Sequence, residues 1–226
     1  MDRQKVLKAL QEFIYEERAQ RIHEVASLRT RMIKVVIEDI FQDRNAGAVF
    51  RTCDCFGIQE VGVIENRYNS RVAKNISKGS EKWLDIYKYG QAETDNTLAC
   101  IANLRSRGYT VIATSPHEAD ISLDSYKLNG KTAILFGTEE EGLSQTALEQ
   151  ADHRMAIPIY GFTESFNISV SAALVLQKFI SQLHQSNLPW KLRPEDQLEL
   201  EILWTCKTLG NSGQAILQKV ENELNA

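Results

Sequence analysis

The stretch "IPIYGFTESFNISVSAALVLQKF", residues 157–179, decides how this chain is interpreted. Its apolar start is typical of the end of a strand, and apolar residues recur at helical spacing in its second half. Between them lies a dense set of hydroxyl and amide side chains. Such side chains at a strand-to-helix turn either cap the helix or face a ligand. Either Asn167 or Ser165 is expected to cap this helix.

Outward from this stretch, predicted strands and helices alternate along the chain. The predicted strands are 32–38, 60–64, 84–89, 109–114, 131–136 and 154–159, and the predicted helices are 45–56, 95–107, 144–150 and 167–184. Such alternation favours an α/β fold whose mostly parallel sheet is covered by helices on both faces. We expect an α/β domain at 31–187, an N-terminal helical extension at 1–30 and a C-terminal helical extension at 188–226.

The bulk composition is that of a globular protein with a sizeable core. The chain has 226 residues, of which 43% are hydrophobic and 25% charged, and its net charge is -4. No global positive charge indicates nucleic acid, although a local basic patch can still bind it. The first thirty residues are charged throughout, unlike a signal peptide, and no apolar run reaches membrane-spanning length. We expect a cytoplasmic protein that is not bound to a membrane.

The cysteines predict neither disulfides nor a metal site. They are Cys53, Cys55, Cys100 and Cys206, and none has the spacing of a zinc ligand set. We expect buried free thiols in a reducing compartment, and no metal.

Ligands of a parallel sheet bind where its strands end at their carboxyl side. Four polar segments follow predicted strands in this chain. They are "DRNAGAVFRTCDCFG" (43–57), "SPHEAD" (115–120), "GTEEEGLS" (137–144) and "YGFTESFNIS" (160–169). We expect these four segments to meet at one edge of the sheet.

The segment 137–144 carries three adjacent glutamates between Gly137 and Gly142. The glycines permit tight turns and close approach of a ligand, and mutual repulsion leaves one or two carboxylates facing inward. The pattern is neither a dinucleotide fingerprint nor a P-loop, which disfavours a phosphate-bearing nucleotide. A ribose or a positively charged ligand fits it better. The alternative is a solvated acidic loop.

The first of these segments opens a helix, with Asn45 as the expected N-cap. Arg51 follows six residues later among apolar and small side chains. An arginine on the buried side of a helix usually binds a carboxylate or a phosphate. The alternative is that Arg51 extends to the surface.

Basic residues recur at helical spacing between positions 67 and 78. They are Arg67, Arg71, Lys74 and Lys78, and on a helix they would share one face. Further basic residues are Arg18, Arg21, Arg29, Arg31 and Lys34. In an acidic chain, such concentrations indicate contacts with the phosphate backbone of a nucleic acid. A solvated helix face is the alternative.

Three segments in this order resemble the motifs of the SpoU/TrmH branch of the SPOUT RNA methyltransferases. They are "NAGAVFRTCDCFGI" (45–58), "ILFGTEEEGLS" (134–144) and "IPIYGFTESFNISVSAALVL" (157–176), and the resemblance covers about 32–185. It implies a C-terminal trefoil knot, S-adenosylmethionine as methyl donor, and a homodimer. It also implies methylation of a ribose 2′-hydroxyl in RNA, and in the subgroup most similar to this chain the target is guanosine 18 in the D-loop of tRNA.

The resemblance assigns catalytic roles to Arg51, Asn45, Glu139, Ser165 and Asn167. Arg51 would grip the adjacent phosphate and lower the pKa of the ribose hydroxyl, since a guanidinium is a poor base. Glu139 would position Asn45 or Arg51, or accept the proton. Ser165 and Asn167 would hold these groups in place.

The resemblance further implies that backbone groups around Thr114, Gly137, Ile157 and Phe166 bind the cofactor. Three other functions stay open: methylation of ribosomal RNA, RNA binding without catalysis, and a dehydrogenase-like activity. The complete set of catalytic residues argues against the second, and the missing dinucleotide fingerprint against the third.

Overall fold

The protein is described by a computed structural model, which covers residues 2–40, 42–67, 77, 79–117 and 119–225. The chain divides into two compact units. One is Arg31–Trp190, and the other combines Met1–Thr30 with Lys191–Ala226. These two terminal segments, predicted as separate helical extensions, therefore belong to one unit.

Strands and helices alternate through the first of these units. The strands are β1 (Ile33–Glu38), β2 (Glu60–Ile64), β3 (Asp85–Tyr89), β4 (Thr110–Thr114), β5 (Ile121–Ser122), β6 (Thr132–Phe136) and β7 (His153–Ala156). The helices of the described chain are α1 (Arg3–Gln11), α2 (Glu16–Ser27), α3 (Asp43–Cys55), α4 (Asn96–Ser106), α5 (Gln145–Gln150), α6 (Ile168–Gln185), α7 (Pro194–Thr208) and α8 (Gly213–Asn225). A 3₁₀ turn spans Ser80–Trp83.

The described strands form one seven-stranded sheet in the order β3-β2-β1-β6-β4-β7-β5. Each pairing between neighbouring strands is parallel. The predicted parallel α/β sheet is confirmed. The carboxyl ends of all these strands consequently lie along the same edge.

Both faces of the sheet are covered. Val35 and Ile37 of β1 belong to a core that includes apolar residues of α3 and α6. Val36, on the opposite face, packs in a second core with Cys100 and Leu104 of α4. Because a strand buried on both faces needs apolar side chains in both directions, β1 has a continuous rather than an alternating apolar run.

The last strand is shorter than the sequence predicts. It was expected to run to residue 159, but β7 ends at Ala156. Its neighbours β4 and β5 end at Thr114 and Ser122, which pair with Met155 and Ala156. Beyond Ala156 the described residues include no neighbouring strand that offers backbone partners, so the chain leaves the sheet and continues irregularly as far as α6.

The second unit contains α1, α2, α7 and α8, and residues of α1, α7 and α8 form its apolar core. That core includes Val6, Leu10, Ile202 and Val220. Asp2 caps α1 by accepting from two backbone N–H groups, and Pro194 begins α7, a position where its missing N–H costs no helical hydrogen bond.

Some expectations about single residues were wrong. Arg29 and Lys34 are buried and so cannot belong to a surface footprint for RNA. Cys53, Cys100 and Cys206 are buried as predicted, but Cys55 is exposed.

The described part of the chain contains no helix with the length and hydrophobicity needed to span a bilayer. Nor do its described His, Cys, Asp and Glu side chains form a group of three that could hold a metal ion.

The amino edge of the sheet holds a buried ionic cluster centred on Glu60. Its carboxylate lies 2.7 Å from Arg107 Nη2 and 3.3 Å from Lys34 Nζ. Arg31 Nε approaches it at 3.3 Å. Burial lowers the pKa of the Lys34 ammonium, and the Glu60 carboxylate counteracts only part of this shift. The cluster joins β1 and β2 at the end of the sheet opposite to the carboxyl edge.

We expect Glu60→Gln to lower the free energy of unfolding by about 3 kcal/mol at neutral pH, because Lys34 and Arg107 lose a buried carboxylate. Burial by itself raises the pKa of Glu60, but the Arg107 hydrogen bond and the Lys34 charge outweigh it and hold that pKa below its usual value. The stabilisation is therefore complete above the unfolded-state pKa and is lost as the pH falls through the lower folded-state pKa. Denaturant titrations of the wild-type protein and of Glu60→Gln, from neutral to acidic pH, measure the difference between their free energies of unfolding. A difference that does not change with pH would contradict this interpretation.

Candidate functional site

A cavity lies at the carboxyl edge of the sheet, where the segments after β4, β6 and β7 meet the start of α6. It is lined by all four residues predicted to bind a cofactor, which are Thr114, Gly137, Ile157 and Phe166. Phe136, Met155, Ile159 and Ile168 contribute apolar walls. The cavity therefore joins apolar side chains to a rim of polar loop residues, the combination typical of small-molecule sites.

The segment 137–144 owes its shape to its two glycines. Gly142 has a φ of +71°, in the left-handed region that favours glycine, and a Cβ on Gly137 would lie 2.1 Å from the Gly142 carbonyl oxygen. Thr138 and Gly142 exchange two backbone hydrogen bonds, at 2.9 and 3.1 Å. These contacts close the segment into a tight loop with Glu139, Glu140 and Glu141 at its tip.

The three glutamates at this tip are exposed, and two of them have partners in different directions. Glu139 accepts a hydrogen bond from Asn167, and Glu141 pairs with Arg67. This divergence reduces the repulsion expected between adjacent carboxylates.

Asn167 brings the three predicted motifs together. Its Nδ2 donates to Glu139 Oε1 and lies 3.5 Å from Asn45 Oδ1. Its Oδ1 accepts from the backbone N and the Oγ of Ser169, at 2.9 and 2.6 Å. Asn167 is thus the N-cap of α6, which decides between the two predicted candidates. Ser165 lines the cavity together with Glu139.

Asn45 does not cap its helix, contrary to expectation. The helix α3 starts at Asp43, and its N-cap is Gln42, which makes no capping hydrogen bond through its side chain. Asn45 therefore lies inside the first turn, and its side chain is available to face Asn167 rather than its own backbone.

Arg51 stands apart from this group. It is exposed on α3, about two turns after Asn45, so the expectation that it lies on the buried side of the helix was wrong. Among the described residues it makes no ion pair or side-chain hydrogen bond, and it does not line this cavity. The structure brings Asn45, Glu139 and Asn167 together and leaves Arg51 facing solvent.

A second cavity adjoins the first and shares Thr138, Glu139 and Ile168 with it. Asn45 and Arg67 contribute to its lining. The hydrogen bond from Arg67 Nη1 to Glu141 Oε2, at 2.5 Å, and a second one to Asp39 raise the pKa of the Arg67 guanidinium. Arg71, Lys74 and Lys78 lie outside the described residues, so their predicted RNA contacts stay predictions.

Sequence reasoning missed two acidic residues that end β1. Glu38 is buried and accepts from Ser144 at the end of the 137–144 loop. Asp39 has a φ of 52° and accepts from the backbone N–H groups of Asn66 and Arg67, at 2.8 and 2.9 Å. The available signal was an acidic pair at the end of a buried apolar strand, where an unpaired carboxylate would be costly.

The sequence of this chain matches a known protein family. The SpoU rRNA Methylase family profile matches residues 32–177, and the chain belongs to that family. A tRNA (guanosine(18)-2'-O)-methyltransferase of Borreliella burgdorferi is 36% identical over 222 residues, which are 98% of this chain and 97% of the relative.

Two solved structures share the fold. The A. aeolicus TrmH/SpoU tRNA modifying enzyme has a TM-score of 0.76 and 24% identity, and the match covers 85% of this chain and 97% of that one. The SpoU methyltransferase AviRb from Streptomyces viridochromogenes, in complex with AdoMet, has a TM-score of 0.61 and 21% identity over 70% of this chain and 63% of that one. At these identities the likeness concerns the fold alone.

Proposed function

We propose that this protein transfers a methyl group from S-adenosylmethionine to the ribose 2′-hydroxyl of guanosine 18 in tRNA. The observation that carries this proposal is similarity along almost the whole chain to a relative named for that reaction. The family membership supports the chemistry, and the cavity at the sheet edge supports the site. Methylation of ribosomal RNA is the alternative target that the same chemistry would allow.

The lining of the first cavity fits S-adenosylmethionine. The apolar walls from Phe136, Met155 and Ile159 suit the adenine ring and the thioether chain. Backbone groups around Thr114, Gly137 and Ile157 would hold the adenine edge and the ribose. Bound there, S-adenosylmethionine supplies an electrophilic methyl group on its sulfonium.

The residues between the two cavities would orient the acceptor ribose. Glu139 holds Asn167, and Asn167 reaches toward Asn45, which supports a positioning role for Glu139 rather than proton transfer. Ser165 lies on the rim of the same cavity and would help to fix this group. Holding the hydroxyl in line with the methyl carbon is the main demand of such a displacement.

We assign Arg51 to the phosphate beside the acceptor ribose. Its exposure supports this assignment, because a guanidinium facing solvent is available to a ligand that arrives from outside. A bidentate pair with a phosphate would place positive charge near the hydroxyl and favour its ionised form. Arg67, Arg71, Lys74 and Lys78 would contact the RNA backbone farther away. For Arg67 the phosphate would have to compete with Asp39 and Glu141.

We propose as well that the protein acts in the cytoplasm. A separate proposal is that the segments after β6 and β7 form a deep trefoil knot. The strand order supports the knot. The chain places β6 between β1 and β4 and then returns to place β7 between β4 and β5. Family resemblance adds to this, although general topology rules disfavour threaded connections.

The function is tested with an unmodified tRNA transcript and tritiated S-adenosylmethionine. We expect one methyl group per tRNA, and none on a transcript whose residue 18 lacks the 2′-hydroxyl, because that oxygen is the acceptor. Transfer that persists on the deoxy transcript would place the target elsewhere. Transfer to ribosomal RNA but not to tRNA would favour the alternative target, and no transfer to any RNA would refute the enzyme assignment.

Arg51→Ala is expected to lower kcat about 100-fold, the effect of removing one group that stabilises developing charge. The affinity for S-adenosylmethionine, measured by calorimetry, should change less than about 3-fold, since Arg51 does not line the cavity. Arg51→Lys is the matched control, because it keeps the charge and loses the bidentate fork. Full activity of Arg51→Ala would remove Arg51 from the mechanism.

We further propose that the protein acts as a homodimer through one face of α6. Val170 and Leu174 lie about one turn apart on α6 and are exposed, and Tyr160, Phe162 and Phe166 in the preceding loop are exposed too. Large apolar side chains that share one face of a helix and remain exposed mark an interaction surface. The adjoining cavity would place each site next to the interface.

Replacing both Val170 and Leu174 with Glu should raise the dimer dissociation constant at least about 100-fold, because unpaired carboxylates would be buried at the interface. Sedimentation velocity over a concentration series measures this constant. Leu98→Glu is the matched control, since Leu98 is equally exposed but lies on α4. A monomeric wild-type protein, or a double variant that dimerises normally, would contradict the proposed interface.

A further inference from the structure

Glu38 holds an unusual place for an acidic side chain. It is 2% exposed, at the carboxyl end of β1, a strand with neighbours on both sides. Its two oxygens accept three hydrogen bonds. Ser144 N donates at 2.7 Å, Ser144 Oγ donates at 2.8 Å, and Thr97 Oγ1 donates to the same oxygen as Ser144 Oγ.

We infer that Glu38 is a positioning residue for methyl transfer. It fixes the 137–144 loop so that Glu139 meets Asn167. The inference rests on the proposed function. Glu38 touches neither of the two cavities, so it acts through the loop rather than on substrate.

Ser144 is the point where Glu38 holds the loop. It is the last residue of the loop and also the N-cap of α5, whose Oγ accepts from Ala147 N at 3.2 Å. One carboxylate therefore aligns the end of the loop and the start of the helix together. Since Thr138 and Gly142 close the loop by backbone hydrogen bonds, a shift at Ser144 is passed on to Glu139.

Asp39 provides a second hold on the same loop. It pairs with Arg67 Nε at 3.3 Å, and Arg67 reaches Glu141 at the loop tip. Glu38, the last residue of β1, and Asp39, which follows it, thus hold the loop at its end and at its tip. Glu38 is the firmer of the two anchors, because the Glu38 side chain is buried whereas those of Arg67 and Glu141 are exposed to solvent.

The side-chain network also continues away from the loop, and these further hydrogen bonds keep the Glu38 carboxylate in place. Thr97 Oγ1 accepts from Asn66 Nδ2 at 2.9 Å, so its own proton is free to go to Glu38. Asn66 Oδ1 in turn accepts from Asn96 N at 3.1 Å. Glu38 is therefore tied to the start of α4 as well as to the loop.

Glu38→Gln keeps the shape of the side chain but places an amide N–H₂ against donor groups. We expect kcat on tRNA to fall about 30-fold, with KM for tRNA changing less than about 3-fold. Hydrogen exchange of the 137–144 amides should rise about 10-fold while the strands stay protected. Ser144→Ala should reproduce part of this loss, and Ser144→Thr, which retains the hydroxyl, should restore activity.

Glu60→Gln is the matched control, because it makes the same change to a buried carboxylate at the opposite edge of the sheet. A merely structural effect would inactivate this variant as well, whereas we expect its kcat to stay within about 3-fold of wild type at temperatures well below unfolding. Combining Glu38→Gln with Glu139→Gln should cost no more activity than Glu139→Gln alone, because Glu38 acts by positioning Glu139.

Several outcomes would overturn the inference. They are wild-type kcat in Glu38→Gln, unchanged exchange of the 137–144 amides, or an equal loss of activity in Glu60→Gln. If the wild-type protein transfers no methyl group to tRNA, the proposed function fails. The exchange comparison then still decides whether Glu38 holds the loop.

Discussion

The parallel direction of every described strand pairing is the constraint on which the site depends. Parallel strands need long crossover connections, so neighbouring strand ends carry loops that are remote in sequence. This is why Asn167 meets Glu139, 28 positions away, and approaches Asn45, 122 positions away. In an antiparallel sheet the corresponding loops would be divided between two edges.

The two edges of this sheet use buried carboxylates differently. At the amino edge, Glu60 is surrounded by cations and joins β1 to β2. At the carboxyl edge, Glu38 accepts from neutral N–H and O–H donors and holds a loop. An ion-paired carboxylate fixes strands that are already packed, whereas one that accepts directional hydrogen bonds can set the shape of a surface segment. The first arrangement serves stability, and the second serves the geometry of the site.

Much of the fold and part of the site could be predicted because the relevant signals are local. Apolar periodicity located the strands and helices, and glycine placement located the tight loop. The four residues predicted to bind a cofactor line one cavity. The errors arose where neighbours in space decide the outcome. The end of β7 depends on where β4 and β5 end, and the exposure of Arg51 and Cys55 depends on which side of α3 is covered.

The sequence by itself determined the order of strands and helices, the parallel α/β class, and the segments that gather at the carboxyl edge. These follow from spacing and turn residues within a few positions of one another. Only the tertiary structure decided which partner each acidic side chain has. Glu141 pairs with Arg67 across 74 positions, and Glu38 holds Ser144 across 106. Strand order brings these groups together, and no local pattern in the chain encodes such distances.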